Sequence, residues 1–194
     1  MIELNKIHNE NCLNTMAKME NNSVDIVFTS PPYNRKRNDK YDFYEGNVYV
    51  NIMKNYYNKQ DVFKLLGKYH KEIYEVFVWE KSNPLPASGL SVTNAYEFVI
   101  CFGSSLKSNK TYTKNHLTTS VAKMYKEHKA VMNDKVASFF IENFTKENNI
   151  IYDPFMGCGT TGLICKINNR NYIGSEISKE YCKIAKERIN NTFF

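Results

Sequence analysis

Residues 149–162 read NIIYDPFMGCGTTG: an apolar run, an acid, then glycines at 157, 159 and 162 leading into a helix-like stretch. The spacing matches G-x-G-x-x-G placed between a strand and a helix, the fingerprint of a βα unit that carries a nucleotide. Glycine lets the backbone turn sharply and approach a ligand that a Cβ would repel. The next apolar run, NYIGSEI (171–177), contains Glu176, about 20 residues beyond Gly157, where a carboxylate can accept both ribose hydroxyl protons. Strand, glycine turn, helix, strand and acid together make a site for the ribose of an adenosine cofactor. A tight turn without a ligand is the plainer reading, and the placement of Glu176 counts against it. A dinucleotide would rest its pyrophosphate on the helix N-terminus, where Asp153 would repel it. That acid suits the amino group or sulfonium of S-adenosyl-L-methionine better than it suits NAD.

The same alternation continues outward from this unit. Apolar runs predict strands over 5–9, 23–29, 47–53, 73–80, 95–102, 149–153 and 171–177, and helices over 12–20, 61–68, 134–146, 160–168 and 178–191. Helix 134–146 has the clearest start: Asn133 or Asp134 can cap it, and Val136, Phe139, Phe140 and Phe144 form an apolar stripe. Ser178 opens the last helix, with Tyr181, Ile184, Ala185 and Ile189 on one face. Alternating strands and helices indicate an α/β domain, and 194 residues without repeat or linker indicate one domain over 1–194. The irregular stretches are 30–46, 81–94 and 103–132; loops on a rigid sheet tend to carry function.

The net charge of +6 does not by itself demand nucleic acid, but its distribution is uneven. Lys107, Lys110, Lys114, Lys123, Lys126, Lys129 and Lys135 outnumber Glu127 and Asp134 in one poorly patterned segment. A solvated lysine-rich loop is the bland account; a phosphate-contacting surface is the functional one. The five cysteines have no C-x-x-C or Cys/His spacing, which argues against a metal site or a disulfide framework and fits a reducing cytoplasm. No apolar run approaches membrane-spanning length, and the N-terminus lacks a signal peptide's apolar stretch, so a soluble, cytoplasmic protein without membrane contact is expected.

A second motif closes the strand 23–29: Thr29-Ser30-Pro31-Pro32-Tyr33-Asn34. Pro-Pro can neither continue a ladder nor start a tight hairpin, so the chain holds a stiff, extended backbone there. Taken with VFVWEKSNP (76–84), NAYEFVICF (94–102), HKAVM (128–132), DPFMGCGTTG (153–162) and RNYIGSEISKEYCKIAKERI (170–189), the chain resembles the permuted, beta-class DNA amino-methyltransferases. In that class the catalytic motif precedes the cofactor motif, and the resemblance covers most of the chain in order.

The resemblance implies a Rossmann-like S-adenosylmethionine-dependent methyltransferase fold: a mostly parallel sheet with one antiparallel strand and circularly permuted motif order. It implies S-adenosyl-L-methionine as methyl donor and double-stranded DNA as partner. Carried over by position, Asp153, Phe155, Gly157, Gly159 and Thr160 line the methionine end, Glu176 holds the ribose, and Asn11 stands where the family usually has an acid near the adenine. Thr29 and Ser30 border the donor, and His128, Lys129 and Ala130 complete the methionine side. Ser30, Pro31, Pro32 and Tyr33 are the catalytic set: an exocyclic amine donates to Ser30 Oγ and the Pro31 carbonyl, and Tyr33 stacks on a flipped base. Ser at the first position resembles cytosine-N4 enzymes; adenine N6 is the alternative. Arg35, Lys36, Arg37, Lys81, Lys110, Tyr112, Lys114 and His116 are the candidate DNA contacts, with a short DNA-contacting insertion around 103–127. Trp79 reads as core or pocket wall, and Glu97 as a buried acid in need of a partner.

Two features depart from the family pattern. The connection 34–46 is barely long enough for a parallel crossover and has no helical stripe where the family normally has a helix. That leaves a sheet face open nearby, alters the strand order, or marks a degenerate enzyme. The recognition region is also short, so a homodimer or partner subunit supplying further DNA contacts is expected. Besides the DNA methyltransferase, three other readings stand: an RNA or protein-amide methyltransferase, a catalytically weakened nucleic-acid-binding homologue, and an NAD-dependent oxidoreductase.

Overall fold

The computed structural model describes residues 2–31, 48–52, 59–84, 86, 92–103, 107–121 and 131–192. Its strands are β1 (Lys6–His8), β2 (Ile26–Thr29), β3 (Val48–Ile52), β4 (Ile73–Lys81), β5 (Tyr96–Phe102), β6 (His116–Thr119), β7 (Ile150–Asp153) and β8 (Asn171–Ser175). Its helices are α1 (Cys12–Met16), α2 (Lys59–Lys68), α3 (Asp134–Phe144), α4 (Thr160–Ile167) and α5 (Lys179–Asn190). The strands form one sheet in the order β1-β8-β7-β2-β3-β5-β4-β6. β5 runs against its neighbours β3 and β4, and every other pairing among the described residues is parallel. The expected single reversed strand is therefore β5.

The central strands β2, β3 and β7 read as continuous apolar runs because helices cover both of their faces. On one face Phe28, Tyr49 and Phe77 meet Phe140 of α3 at ring-centroid distances of 5.5, 5.4 and 5.0 Å. The core on that side continues through Leu163 and Ile164 of α4 to Ala185 and Ile189 of α5. On the other face Val27, Val48, Val50 and Ile100 pack with Val62, Leu65 and Leu66 of α2 and Met16 of α1. Asn133 caps α3 by accepting from the Lys135 N–H at 2.8 Å, and Ser178 caps α5 by accepting from the Tyr181 N–H at 3.3 Å.

Two expectations change. β3 lies beside β2 in parallel register, Phe28 opposite Tyr49, and all five of its residues are buried, so the sheet is covered at β3 rather than open. The connection 34–46 itself lies outside the described residues. The other change is β6: HLTT forms a strand within a stretch that reads as loop, and Leu117 is its one buried side chain. A short edge strand pairs through its backbone on one side only, so it leaves little trace in a hydropathy pattern.

Candidate active site

The ends of β1, β2, β7 and β8 bring the site together at the C-terminal edge of the parallel strands, where open α/β sheets bind ligands. β7 delivers Asp153, which is 3% exposed. Its Oδ1 accepts from Thr29 Oγ1 at 2.7 Å and from the Phe155 N–H at 3.0 Å, and its Oδ2 accepts from Thr161 Oγ1 at 2.6 Å. The carboxylate thus ties the end of β2 to the glycine turn and to the first residues of α4. Burial pushes its pKa up to about 6, against the opposing pull of the two threonine hydroxyls. A buried acid held this way sets a negative charge beneath the turn.

The turn itself needs two glycines in the left-handed region, Gly157 at φ 54° and Gly159 at φ 85°. Gly157 donates its N–H to Glu176 Oε2 at 2.9 Å, and the Ser178 N–H donates to Oε1 at 2.8 Å. Each carboxylate oxygen keeps a further acceptor site, so Glu176 is rigidly aimed and can still take hydroxyl protons. Gly159 and Gly162 also make room for the packing of α5. A Cβ on Gly159 would lie 2.9 Å from Ala185 Cβ, and one on Gly162 would lie 2.7 Å from Ile189 Cδ1. Thr160 is also turned inward: its Oγ1 accepts from Arg188 Nη1 at 2.9 Å and lies 3.5 Å from the Met132 carbonyl.

Asn11 is exposed, and its side-chain oxygen caps α1 by accepting from the Leu13 N–H at 2.9 Å. Asn9 Nδ2 donates to the Glu176 and Ile177 carbonyls at 2.8 and 3.2 Å, fastening β1 to the loop beyond β8. Ile177, 74% exposed beside Glu176, presents an apolar side chain that sequence reasoning missed. A large apolar residue directly after the acid was the available signal.

Thr29, Ser30 and Pro31 close β2. Ser30 Oγ lies 3.4 Å from Asn51 Nδ2 on β3, and the same nitrogen donates to Glu97 Oε2 at 3.0 Å. Glu97 in turn pairs with Lys81 Nζ at 2.8 Å, and the Lys81 ammonium lies 5.7 Å from the centre of the Trp79 rings. Trp79 is core, 2% exposed, with its Nε1–H donating to Thr119 Oγ1 at 2.8 Å. Pro32, Tyr33, Arg35, Lys36, Arg37, His128, Lys129 and Ala130 lie outside the described residues.

Of the DNA contacts expected from the sequence, those among the described residues do not gather at this site. The Lys81 side chain is 9% exposed and is engaged with Glu97. Lys110, Tyr112 and Lys114 are exposed but sit at the opposite edge of the sheet. The cause is the reversed β5, which carries the chain back to where the parallel strands begin. There the Gly103 N–H meets the Glu72 carbonyl, and Asn109 donates to carbonyls of Glu142, Asn143 and Thr145 at the end of α3. His116 starts β6 from that edge and lies 3.2 Å from Glu80 Oε2. The chain regains the Ser30 edge only at Thr119–Val121, where the Val121 N–H bonds to Asn83 Oδ1.

Comparison with known proteins bears on this geometry. A family model described as DNA methylase, of the N6/N4 methyltransferases, matches residues 43–187. The chain belongs to that family. It is 46% identical over 76 residues to the orphan methyltransferase M.BamHII of Bacillus amyloliquefaciens, covering 39% of this chain and 29% of that protein. It is 24% identical to the type II methyltransferase M.HinfI of Haemophilus influenzae, covering 96% of the chain and 68% of the relative. This second alignment runs over 248 residues against a chain of 194, so within the aligned span the relative carries segments that this chain lacks. Among solved structures, the cytosine-N4-specific PvuII DNA methyltransferase superposes with a TM-score of 0.78 at 20% identity, over 96% of this chain and 87% of that one. The M1.HpyAVI–SAM complex superposes with a TM-score of 0.72 at 25% identity, over 94% and 98%. The methyltransferase fold expected from the motifs is thus the observed one. Among the described residues, no cluster of His, Cys, Asp or Glu could hold a metal ion, and no helix is long and apolar enough to cross a membrane.

Proposed function

We propose that this chain transfers a methyl group from S-adenosyl-L-methionine to the exocyclic amine of a flipped base in double-stranded DNA, with cytosine N4 as the target. The observation that carries the reading is the joining of Thr29-Ser30-Pro31 to Asp153 and the glycine turn through the 2.7 Å hydrogen bond from Thr29. That bond holds the end of β2 beside the glycine turn, which supports a reading in which the first receives the amine and the second the cofactor.

The residues fit an adenosine sulfonium. Glu176 retains acceptor capacity for both ribose hydroxyls, Ile177 offers an apolar surface for a base, and Asn11 offers its amide to adenine. Asp153 supplies negative potential under the methionine end from a buried position, its oxygens accepting from Thr29, Thr161 and the Phe155 N–H. Gly157, Gly159 and Thr160 shape the backbone that the ligand meets. When bound, the cofactor supplies an electrophilic methyl carbon. The chain's own work is to hold the target amine in line: its N–H groups donate to Ser30 Oγ and the Pro31 carbonyl, turning the nitrogen lone pair toward that carbon. The methyl would pass from sulfur, which keeps the C–S electron pair, to the nitrogen held by Ser30 and Pro31, and the amine would give up its extra proton to solvent.

Pro32 and Tyr33, which follow directly in sequence, complete the catalytic set, and His128, Lys129 and Ala130 the methionine side. Arg35, Lys36 and Arg37 contact phosphate next to the flipped base, and a second copy or partner subunit adds further contacts. A second reading, a cofactor-binding homologue with weakened catalysis, is supported by the segments that M.HinfI has and this chain lacks.

The test is to incubate the protein with labelled S-adenosyl-L-methionine and mixed-sequence duplex DNA, digest to nucleosides and identify the product. N4-methylcytosine is expected. N6-methyladenine would move the target to adenine, and cofactor binding with no transfer would favour the second reading.

A further inference from the structure

Behind Ser30, a chain of polar side chains leads away from the amine-binding strand end and crosses four adjacent strands. β2 carries Ser30 at its end, β3 carries Asn51, β5 carries Glu97 and β4 carries Lys81. Asn51 is 0% exposed and Glu97 4% exposed, and the Lys81 side chain is 9% exposed. Placing a charged pair and an amide inside an apolar sheet costs several kcal/mol of desolvation, roughly offset only if every group is matched. An asparagine within VYVNI and a glutamate within YEFVICF are poor choices for stability alone.

We infer that the Lys81–Glu97 ion pair acts through Asn51 to set the hydrogen-bonding polarity at Ser30, making Asn51, Glu97 and Lys81 positioning residues for the target amine. The inference rests on the proposed function. A carboxylate held by an ammonium has only acceptors to offer, so Glu97 fixes the Asn51 amide with its NH₂ end toward both Glu97 Oε2 at 3.0 Å and Ser30 Oγ at 3.4 Å. Ser30 therefore meets a donor, never the amide oxygen. Were the amide reversed, Oδ1 would draw the Ser30 proton toward β3 and change which way the Ser30 lone pairs point. Lys81 anchors the far end, fixed by the carboxylate at 2.8 Å and seated by the Trp79 rings. Such a chain adds no contact to substrate; it decides the direction of one.

The test compares three proteins: wild type, the double variant Glu97→Gln with Lys81→Met, and Asn51→Leu. The double variant removes both charges with groups of similar volume, a change that buried ion pairs often tolerate. Expected is a kcat lower by about ten- to a hundredfold, with unchanged KM and dissociation constant for S-adenosyl-L-methionine and an unchanged melting temperature in the double variant. A purely structural role would instead lower the melting temperature and cofactor affinity together with the rate. Wild-type turnover in a folded variant overturns the inference. Absence of transfer by the wild type would instead overturn the proposed function. A measurement on the wild type alone guards against variants that do not fold: the Asn51 side-chain amide protons should exchange with solvent far more slowly than surface amides, and surface-like exchange would refute the arrangement.

Discussion

At the scale of single residues, the proposed reaction divides its demands between Asp153 and Ser30. Asp153 is neutral more readily in the folded chain than in the unfolded one, because burial raises its pKa from 3.8 to about 6. Its contribution to stability is therefore fully present below pH 3.8 and is lost as pH rises through 6. At about 1.4 kcal/mol per pKa unit, the loss is on the order of 3 kcal/mol. Urea unfolding of the ligand-free protein should show wild type losing more stability between pH 4.5 and 7 than Asp153→Asn does. A cationic ligand favours the ionised form, so affinity for S-adenosyl-L-methionine should rise across the same interval, and a flat affinity profile would remove Asp153 from the electrostatics of binding. In the proposed reaction Ser30→Ala removes an acceptor for the target amine, and kcat should fall by about a hundredfold. Calorimetric titration should find cofactor affinity unaltered, since the proposed reading assigns cofactor binding to Glu176 and the glycine turn.

Elements are held by close approach, and the glycines measure it. Gly159 combines φ 85° with a Cβ position 2.9 Å from Ala185 Cβ and 3.1 Å from its Cα, so Gly159→Ala should cost about 2–4 kcal/mol. Gly162→Ala meets the flexible tip of Ile189 and should cost less, about 1–2 kcal/mol. Gly67 in α2 has nothing within 4 Å of a Cβ position, and Gly67→Ala should stabilise by about 0.5–1 kcal/mol through helix propensity. Denaturant unfolding of the three variants gives the ranking directly. The fingerprint glycines were legible in the sequence as a turn, but their partners were not. That Gly159 and Gly162 make room for α5, while Gly157 donates to Glu176, depends in part on a helix that follows them by more than fifteen residues.

Across the whole molecule, the reversal of β5 decides which edge of the sheet the lysine-rich segment occupies. It sends 107–115 to the far edge of the sheet, so Lys107→Ala, Lys110→Ala and Lys114→Ala together should leave the salt dependence of DNA binding nearly unchanged. Replacing Arg35, Lys36 and Arg37 should reduce that slope, by about one for each phosphate that is no longer neutralised. Filter binding over a salt series distinguishes the two sets, and a slope that falls with the lysines instead would return 107–115 to the DNA interface. A cluster of lysines and a tyrosine signals nucleic acid by composition, but composition holds no information on which end of a sheet the cluster occupies.

By itself the sequence determined the α/β alternation, seven of the eight described strands, all five described helices, and the pairing of a glycine turn with Glu176. These depend on local periodicity and on residues about one βα unit apart, which the chain order preserves. Tertiary structure alone decided the rest. It turned Asp153 inward onto Thr29 and Thr161, withdrew Lys81 from solvent, moved the lysine segment away from the site, and joined Ser30 to Lys81 through Asn51 and Glu97. Each of these depends on strand order and direction, where residues distant in sequence become neighbours within hydrogen-bonding reach.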